Sequence, residues 1–126
     1  MVLGLPSSEV IKQWHDLGVT VFVLKYSIPD KADEAFKDVQ RAIRLVRHQA
    51  KKWNIDPSNI GLFGNSAGGN LAARLSQNYD QKIHEPLDEA DQVSCHPDFA
   101  VLQYAAYFQG RKLDKDFDTE FLSMKK

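Results

Sequence analysis

The chain has 126 residues, of which 43% are hydrophobic and 26% charged, and its formal net charge is −1. This length suits one domain with one core, and the near-neutral charge gives no electrostatic reason to expect a nucleic-acid or membrane partner. No apolar run approaches the ~20 residues of a membrane span. The N-terminal stretch MVLGLPSSEV lacks the basic start and long apolar run of a signal peptide, so the compartment is open and the cytoplasm is the default expectation.

The first part of the chain predicts a helix followed by a strand. Ser7 or Ser8 can cap a helix whose apolar positions are Val10, Ile11, Trp14 and Leu17, and Gly18 suits its C-terminal end. Residues 19–24, VTVFVL, are apolar at both odd and even positions. This pattern predicts a strand that is buried on both faces, as in a parallel sheet.

A long amphipathic helix is predicted over residues 31–53. Its apolar positions recur every three or four residues, at Phe36, Val39, Ile43, Val46, Ala50 and Trp53. The opposite side carries six cations, Lys37, Arg41, Arg44, Arg47, Lys51 and Lys52. We expect this basic side to be a solvated face rather than a binding patch.

The second half predicts a strand at 59–63, a helix at 67–77, an irregular polar segment at 80–97 and a third strand at 99–104. The alternation of helices and strands indicates an α/β fold in which residues 1–126 form one domain with a parallel sheet of about three strands. Residues 110–126 are charged and weakly patterned, and we expect a weakly structured tail. Such a sheet has unpaired edges, which predicts a homo-oligomer as one possible assembly.

The stretch Gly64-Asn65-Ser66-Ala67-Gly68 fits G-x-S-x-G between a strand and a helix, the pattern of a nucleophile elbow. Such a turn projects the serine hydroxyl above the strand ends, so Ser66 is the predicted nucleophile. The Ala67 amide, at the start of the helix, is the predicted oxyanion-hole donor. The remaining elbow residues are Gly64, Asn65, Gly68 and Gly69, small or tolerant of unusual backbone angles.

Three other interpretations of this stretch fit less well. A phosphate-binding P-loop needs Lys-Ser/Thr after its last glycine, but Asn70-Leu71 follows Gly69. A dinucleotide fingerprint needs a glycine where Ser66 stands. The third interpretation is a glycine-rich turn without chemistry.

Three segments carry a resemblance to a known family: FVLKYSIP, the block DVQRAIRLVRHQAKKWNIDPSNIGLFGNSAGGNLAARLS, and PDFAVLQYAAY. Together they resemble bacterial acetylesterases of the α/β-hydrolase fold, the acetyl-xylan-esterase-like relatives of dienelactone hydrolase and of the lipase/esterase group. The resemblance implies hydrolysis of small acyl esters by Ser66, with an acetylated sugar as the expected substrate. No cluster of histidine, cysteine or carboxylate residues in the sequence has metal-ligand spacing, and no cofactor is expected. The resemblance also implies structural rather than catalytic roles for Asp38 and Arg41. Tyr104-Ala105 departs from the family, which has proline after the tyrosine.

A serine nucleophile needs a histidine base and an orienting carboxylate, which follow the serine in the order acid, then histidine, in this fold. The resemblance implies that both lie beyond this sequence and that a His-Gly-Gly oxyanion loop precedes it. Within the chain, His84 in a polar loop is a weak candidate base, and His96 is expected at the opposite end of the sheet. His15 and His48 are expected on helix surfaces, Asp98 matches no triad position, and Cys95 is expected to be structural.

The sequence leaves three accounts open. The chain is an inactive fragment of a serine esterase, or a second chain completes it, or it is an interaction module that associates through its sheet edges.

Overall fold

The computed structural model describes residues 1–4, 6–27 and 31–105. In chain order the elements are β1 (Val2–Leu3), α1 (Ser8–Asp16), β2 (Val23–Leu24), α2 (Ala32–His48), α3 (Ala50–Trp53), β3 (Gly61–Asn65), α4 (Ala67–Asn78), a 3₁₀ helix (Glu89–Gln92) and β4 (Phe99–Gln103). The strands form one parallel sheet in the order β2-β1-β3-β4. The tail expected at 110–126 lies outside the described residues. Among the described residues, no helix combines the length and apolarity needed to cross a bilayer.

The sheet has one more strand than the sequence predicted, and its first strand is the one that was missed. β1 lies between β2 and β3, and both of its residues are buried. Two apolar residues are too few to show a strand pattern in the sequence. The central position of β1 follows instead from its backbone pairing with β2 on one side and β3 on the other.

The prediction of a strand over 19–24 buried on both faces is wrong. Only Val23–Leu24 pairs, and it does so at the edge of the sheet, with β1 alone. Val19 and Val23 are 48% and 45% exposed. An edge strand has a neighbour on one side only, so part of its apolar surface faces solvent among the described residues.

The helices follow their local signals closely. The Ser7 side chain caps α1 by accepting the Val10 amide, and Gly18, at φ 80°, follows the helix end. The helix predicted over 31–53 is divided at Gln49 into α2 and α3. Its apolar face is buried as far as Ala50, whereas Trp53 is 43% exposed.

The prediction that the basic side of this helix is solvated is wrong for three of its arginines. Arg41, Arg44 and Arg47 face the segment between α4 and β4, which runs alongside α2. The Arg44 side chain donates to the Val93 carbonyl at 3.2 Å. Lys51 and Lys52, beyond this segment, are exposed.

The main core lies between the sheet and the pair α2 and α4. It is built from Leu3 and Leu62 of the sheet together with apolar side chains of the two helices, Phe36, Val39, Ile43, Leu71, Ala72 and Leu75. On the other face, Trp14 of α1 packs edge-on against Phe63, with ring centroids 4.7 Å apart. The core therefore holds β3 from both sides and fixes the direction in which its C-terminal end points.

Candidate active site

Ser66 lies on the sharp turn between β3 and α4, at the C-terminal end of the central part of the sheet. Its φ of 53° and ψ of −117° are unusual for a residue with a side chain, and the residue is exposed. Such backbone conformations cost on the order of 1–3 kcal/mol and persist where the surrounding structure holds them. The turn therefore exposes Ser66 to solvent, and the packing of the surrounding fold offsets the free energy of its strained backbone.

Two glycines allow this turn to exist. A Cβ on Gly64 would lie 2.2 Å from the carbonyl oxygen of Gly68, and a Cβ on Gly68 would lie 2.1 Å from the carbonyl oxygen of Leu3. Both contacts are with backbone, which cannot move aside as a side chain can. The start of α4 is therefore packed directly on β3 and β1.

Backbone hydrogen bonds hold Ser66 between two elements. Its amide donates to the carbonyl of Gln103 at 2.9 Å, and its carbonyl accepts from the Asn70 amide at 3.1 Å. The Ser66 amide is thereby occupied. The Ala67 amide stands at the first position of α4, where no intrahelical acceptor exists and the helix dipole is positive, so it is suited to a developing oxyanion.

The Gln103 carbonyl is a feature that sequence analysis missed. Gln103 is paired in register with Asn65, so β4 ends beside the elbow. A backbone carbonyl carries no side-chain signal, and only the register of β4 against β3 reveals its role.

A groove of about 660 Å³ adjoins the elbow. It runs between the start of α2 and the outer side of α4, with Ala67 in its lining at the elbow end and Gln81 beyond the far end of α4. Arg74 joins the two helices, donating to the Ala32 carbonyl at 2.9 Å and to the Asp33 carboxylate at 2.7 Å.

Ser27, which follows β2 and also lines the groove, is held in place by Asp38. The Asp38 carboxylate accepts hydrogen bonds from the amide of Ser27 at 2.9 Å and from the hydroxyl of the same residue at 2.8 Å. These contacts are structural, as the family resemblance implied for Asp38.

No histidine is brought to Ser66. The Ser66 hydroxyl makes no hydrogen bond within the described residues, which include all four histidines of the chain. His96 stands before the start of β4, at the end of the sheet remote from Ser66, with its ring 4.3 Å from that of Tyr79. Nδ1 of His84 lies 2.8 Å from the Glu85 carbonyl oxygen. The other two, His15 and His48, are exposed near helix ends.

Charged groups on the neighbouring segment stabilise the fold around α2. The Arg41 guanidinium hydrogen-bonds to the Asp88 carboxylate and lowers its pKa to about 2. Burial raises the pKa of Asp91, but the hydrogen bond from the Leu87 amide and the charge of Arg41 outweigh it, so the pKa lies below its ordinary value. Oδ1 of Asp91 is 3.0 Å from the Arg41 guanidinium. Arg41 is therefore a structural residue, as the resemblance implied.

Asp98 and Cys95 also have structural surroundings. The Asp98 carboxylate accepts from the Ile60 amide at 2.7 Å and from the Arg47 guanidinium at 2.9 Å. Cys95 is buried, donates to the Tyr79 carbonyl at 3.0 Å, and has its thiol pKa raised by burial. Within the described ranges, no cluster of three histidine, cysteine or carboxylate side chains could hold a metal ion.

Residues 11–125 match a protein family described as alpha/beta hydrolase fold. This match confirms the fold class and the resemblance identified from the sequence. Endo-1,4-beta-xylanase B of Butyrivibrio fibrisolvens is 30% identical over 110 residues, which are 82% of this chain and 17% of that protein. Acetylxylan esterase of Xylanibacter ruminicola is 41% identical over 61 residues, which are 47% of this chain and 12% of that protein.

A solved structure agrees with these sequence matches. The acetyl ester-xyloside bifunctional hydrolase from Caldicellulosiruptor lactoaceticus superposes with a TM-score of 0.68 at 42% identity, over 76% of this chain and 36% of that one. The chain thus spans less than a fifth of the two sequence relatives and about a third of the solved structure.

Proposed function

The chain belongs to the alpha/beta hydrolase family, and we propose that Ser66 is the nucleophile of a carboxylesterase. The proposed reaction removes an acyl group from an ester through an acyl-serine intermediate, and the proposed ester is an acetyl group on a carbohydrate. The observation that carries this proposal is the exposed Ser66 in a strained turn between β3 and α4. The acetyl and carbohydrate parts are supported by similarity to proteins named acetylxylan esterase and acetyl ester-xyloside hydrolase.

In the proposed reaction, the Ser66 hydroxyl oxygen bonds to the ester carbonyl carbon while its proton passes to a base. The resulting oxyanion is stabilised by the Ala67 amide. Collapse breaks the bond to the alcohol, which leaves with the proton, and water then releases the acid from Ser66 by the same steps.

The base and its orienting carboxylate are proposed to come from residues outside this sequence. None of the four histidines hydrogen-bonds to Ser66, and each has a position or a contact that fits a structural or surface role. Serine hydrolases that lack a member of the triad still accelerate the reaction by a factor of the order of 10³ over water. A positioned serine and an oxyanion donor are therefore expected to give some reactivity without the base.

Acetylation of Ser66 by p-nitrophenyl acetate tests this proposal. We expect a slow, single acetylation that peptide mass mapping places at Ser66 and that Ser66→Ala abolishes. Ser8→Ala, at an exposed serine of α1, is the matched control and should leave it unchanged. Labelling that persists in Ser66→Ala at the same rate contradicts the role of Ser66. Repeated turnover that depends on Ser66 contradicts the external base.

A second candidate function is favoured by the outer edges of β2 and β4, which pair with no further strand in the part of the chain that the structure describes. Val23, Phe99 and Val101 are 45–50% exposed there, and an unpaired edge strand is a template for pairing with another chain. In this alternative the chain is a catalytically inactive module, and a second copy is one partner that the edges could pair with. Sedimentation velocity of the 126-residue chain distinguishes a monomer from such a homo-oligomer, and absent labelling of Ser66 together with self-association supports the alternative.

A further inference from the structure

Tyr104, the residue that follows β4, has a backbone conformation that residues with side chains rarely adopt. Its φ is 48°, in the left-handed region, and the chain bends there. The residue is 83% exposed, and its side chain makes no hydrogen bond among the described residues. Packing of the ring therefore does not account for this conformation. A strained backbone persists only where the surrounding structure holds it, so the cause lies in the residues on either side of Tyr104.

Both neighbours of Tyr104 are held against the elbow. On one side, the Gln103 carbonyl accepts a hydrogen bond from the Ser66 amide at 2.9 Å. On the other side, Ala105 lies against Gly69 of α4, where an added Cβ would be 3.0 Å from the Cβ of Ala105 and 3.1 Å from its Cα. An extended residue at position 104 would carry the chain onward in the direction of β4. The left-handed bend turns the chain onto the first turn of α4 instead.

The hydrogen bond to Gln103 acts directly on the conformation of the nucleophile. It fixes the orientation of the peptide group that precedes Ser66, and this orientation determines the φ of 53° at Ser66. The glycines of the elbow permit β3 and α4 to approach each other, but they do not orient that peptide group. The end of β4 supplies the orientation.

We propose that Tyr104 is a positioning residue for Ser66, which acts through its left-handed backbone and not through its ring. The bend lets Gln103 bind the Ser66 amide while Ala105 packs on Gly69, and together these contacts hold the turn that carries the nucleophile. This inference rests on the proposed function of Ser66.

Three substitutions that all remove the ring separate the backbone of residue 104 from its side chain. Glycine adopts a positive φ readily, so acetylation of Ser66 by p-nitrophenyl acetate in Tyr104→Gly should stay within about twofold of the rate of the original chain. Valine, which is branched at Cβ, adopts a positive φ least readily. Tyr104→Val should be at least about tenfold slower, because a displacement of the order of 1 Å costs about 100-fold in rate. Tyr104→Asn tolerates a positive φ and should match the glycine variant.

Amide hydrogen exchange tests the contact without reference to catalysis. The Ser66 amide should exchange at least about tenfold faster in Tyr104→Val than in Tyr104→Gly, because its hydrogen bond to Gln103 is weakened. The Phe63 amide, which donates to the Met1 carbonyl at 2.8 Å, is the internal reference and should exchange equally in the two variants. A parallel increase at Phe63 would show a general loss of stability and would overturn the local role of Tyr104.

The remaining outcomes separate this inference from the proposed function. Equal acetylation rates in Tyr104→Gly and Tyr104→Val would overturn the assignment, whether both variants are fast or both are slow. A difference in acetylation with equal exchange at Ser66 would also overturn it, because the effect would then not pass through the Ser66 amide. Exchange that follows the φ preference of residue 104, without acetylation of Ser66 in any variant, would support the positioning of the turn and overturn the proposed function instead.

Discussion

Replacing Gly64 by alanine tests whether close packing of two backbones positions the nucleophile. The added Cβ would lie 2.2 Å from the Gly68 carbonyl oxygen and 2.4 Å from its carbonyl carbon. Relief to an ordinary contact of about 3.4 Å requires β3 and α4 to separate by about 1.2 Å. Ser66 stands between these two segments and must move with them.

Two magnitudes follow from that displacement. Overpacking in a tightly packed region costs about 1–3 kcal/mol, and we expect the upper end of this range because the obstructing atoms belong to the backbone. A shift of about 1 Å in a reacting group costs about 100-fold in rate, so acetylation of Ser66 by p-nitrophenyl acetate should fall by that factor.

Urea unfolding followed by tryptophan fluorescence measures the first effect, since Trp14 packs on Phe63, the residue before Gly64. Gly18→Ala is the matched control. A Cβ there meets nothing within 4 Å, so only its φ of 80° imposes a cost of about 1–2 kcal/mol, and Ser66 should keep its reactivity. If Gly64→Ala is as stable as the original chain and is acetylated as fast, the close approach of β3 and α4 does not position Ser66.

Three further predictions concern the segment that packs along α2. The ionised Asp88 carboxylate, paired with Arg41, stabilises the fold at pH values above the ordinary carboxyl pKa of about 4, and this stabilisation is lost as the pH falls toward 2. In Arg41→Ala the free energy of unfolding should therefore decline less steeply between pH 4 and pH 2. An unchanged slope in acid titrations of stability would contradict this. Asp98→Ala should cost about 1–3 kcal/mol in urea unfolding because it leaves the Ile60 amide without its acceptor, and a smaller loss would mean that water replaces the carboxylate. Cys95 should resist a thiol reagent in the native chain and react in urea, since burial raises its pKa; rapid native labelling would show that the site opens.

Local signals identified most of the helices and the turn that carries Ser66. The Ser7 cap, the spacing of the apolar positions of α2 and the small residues of the elbow each depend on neighbours within a few positions along the chain. Gly64, the first glycine of G-x-S-x-G, predicts that the backbones of β3 and α4 approach each other closely at the turn. In the structure they do, since a Cβ at Gly64 would lie 2.2 Å from the Gly68 carbonyl oxygen. The roles of Ser66 and Ala67 in catalysis remain predictions.

The sequence by itself therefore determined the elements whose causes are local, together with the α/β class that their alternation requires. Only the tertiary structure decided the central place of β1, the partners of Arg41 and Arg47, and the bond from the Ser66 amide to Gln103. The pairing of β1 with β3 and the bonds Arg41–Asp88, Arg47–His96 and Ser66–Gln103 join residues that are 37 to 61 positions apart. No local pattern specifies which distant carbonyl or carboxylate will arrive beside a given side chain, because that depends on how the helices pack on the sheet and how its strands are ordered.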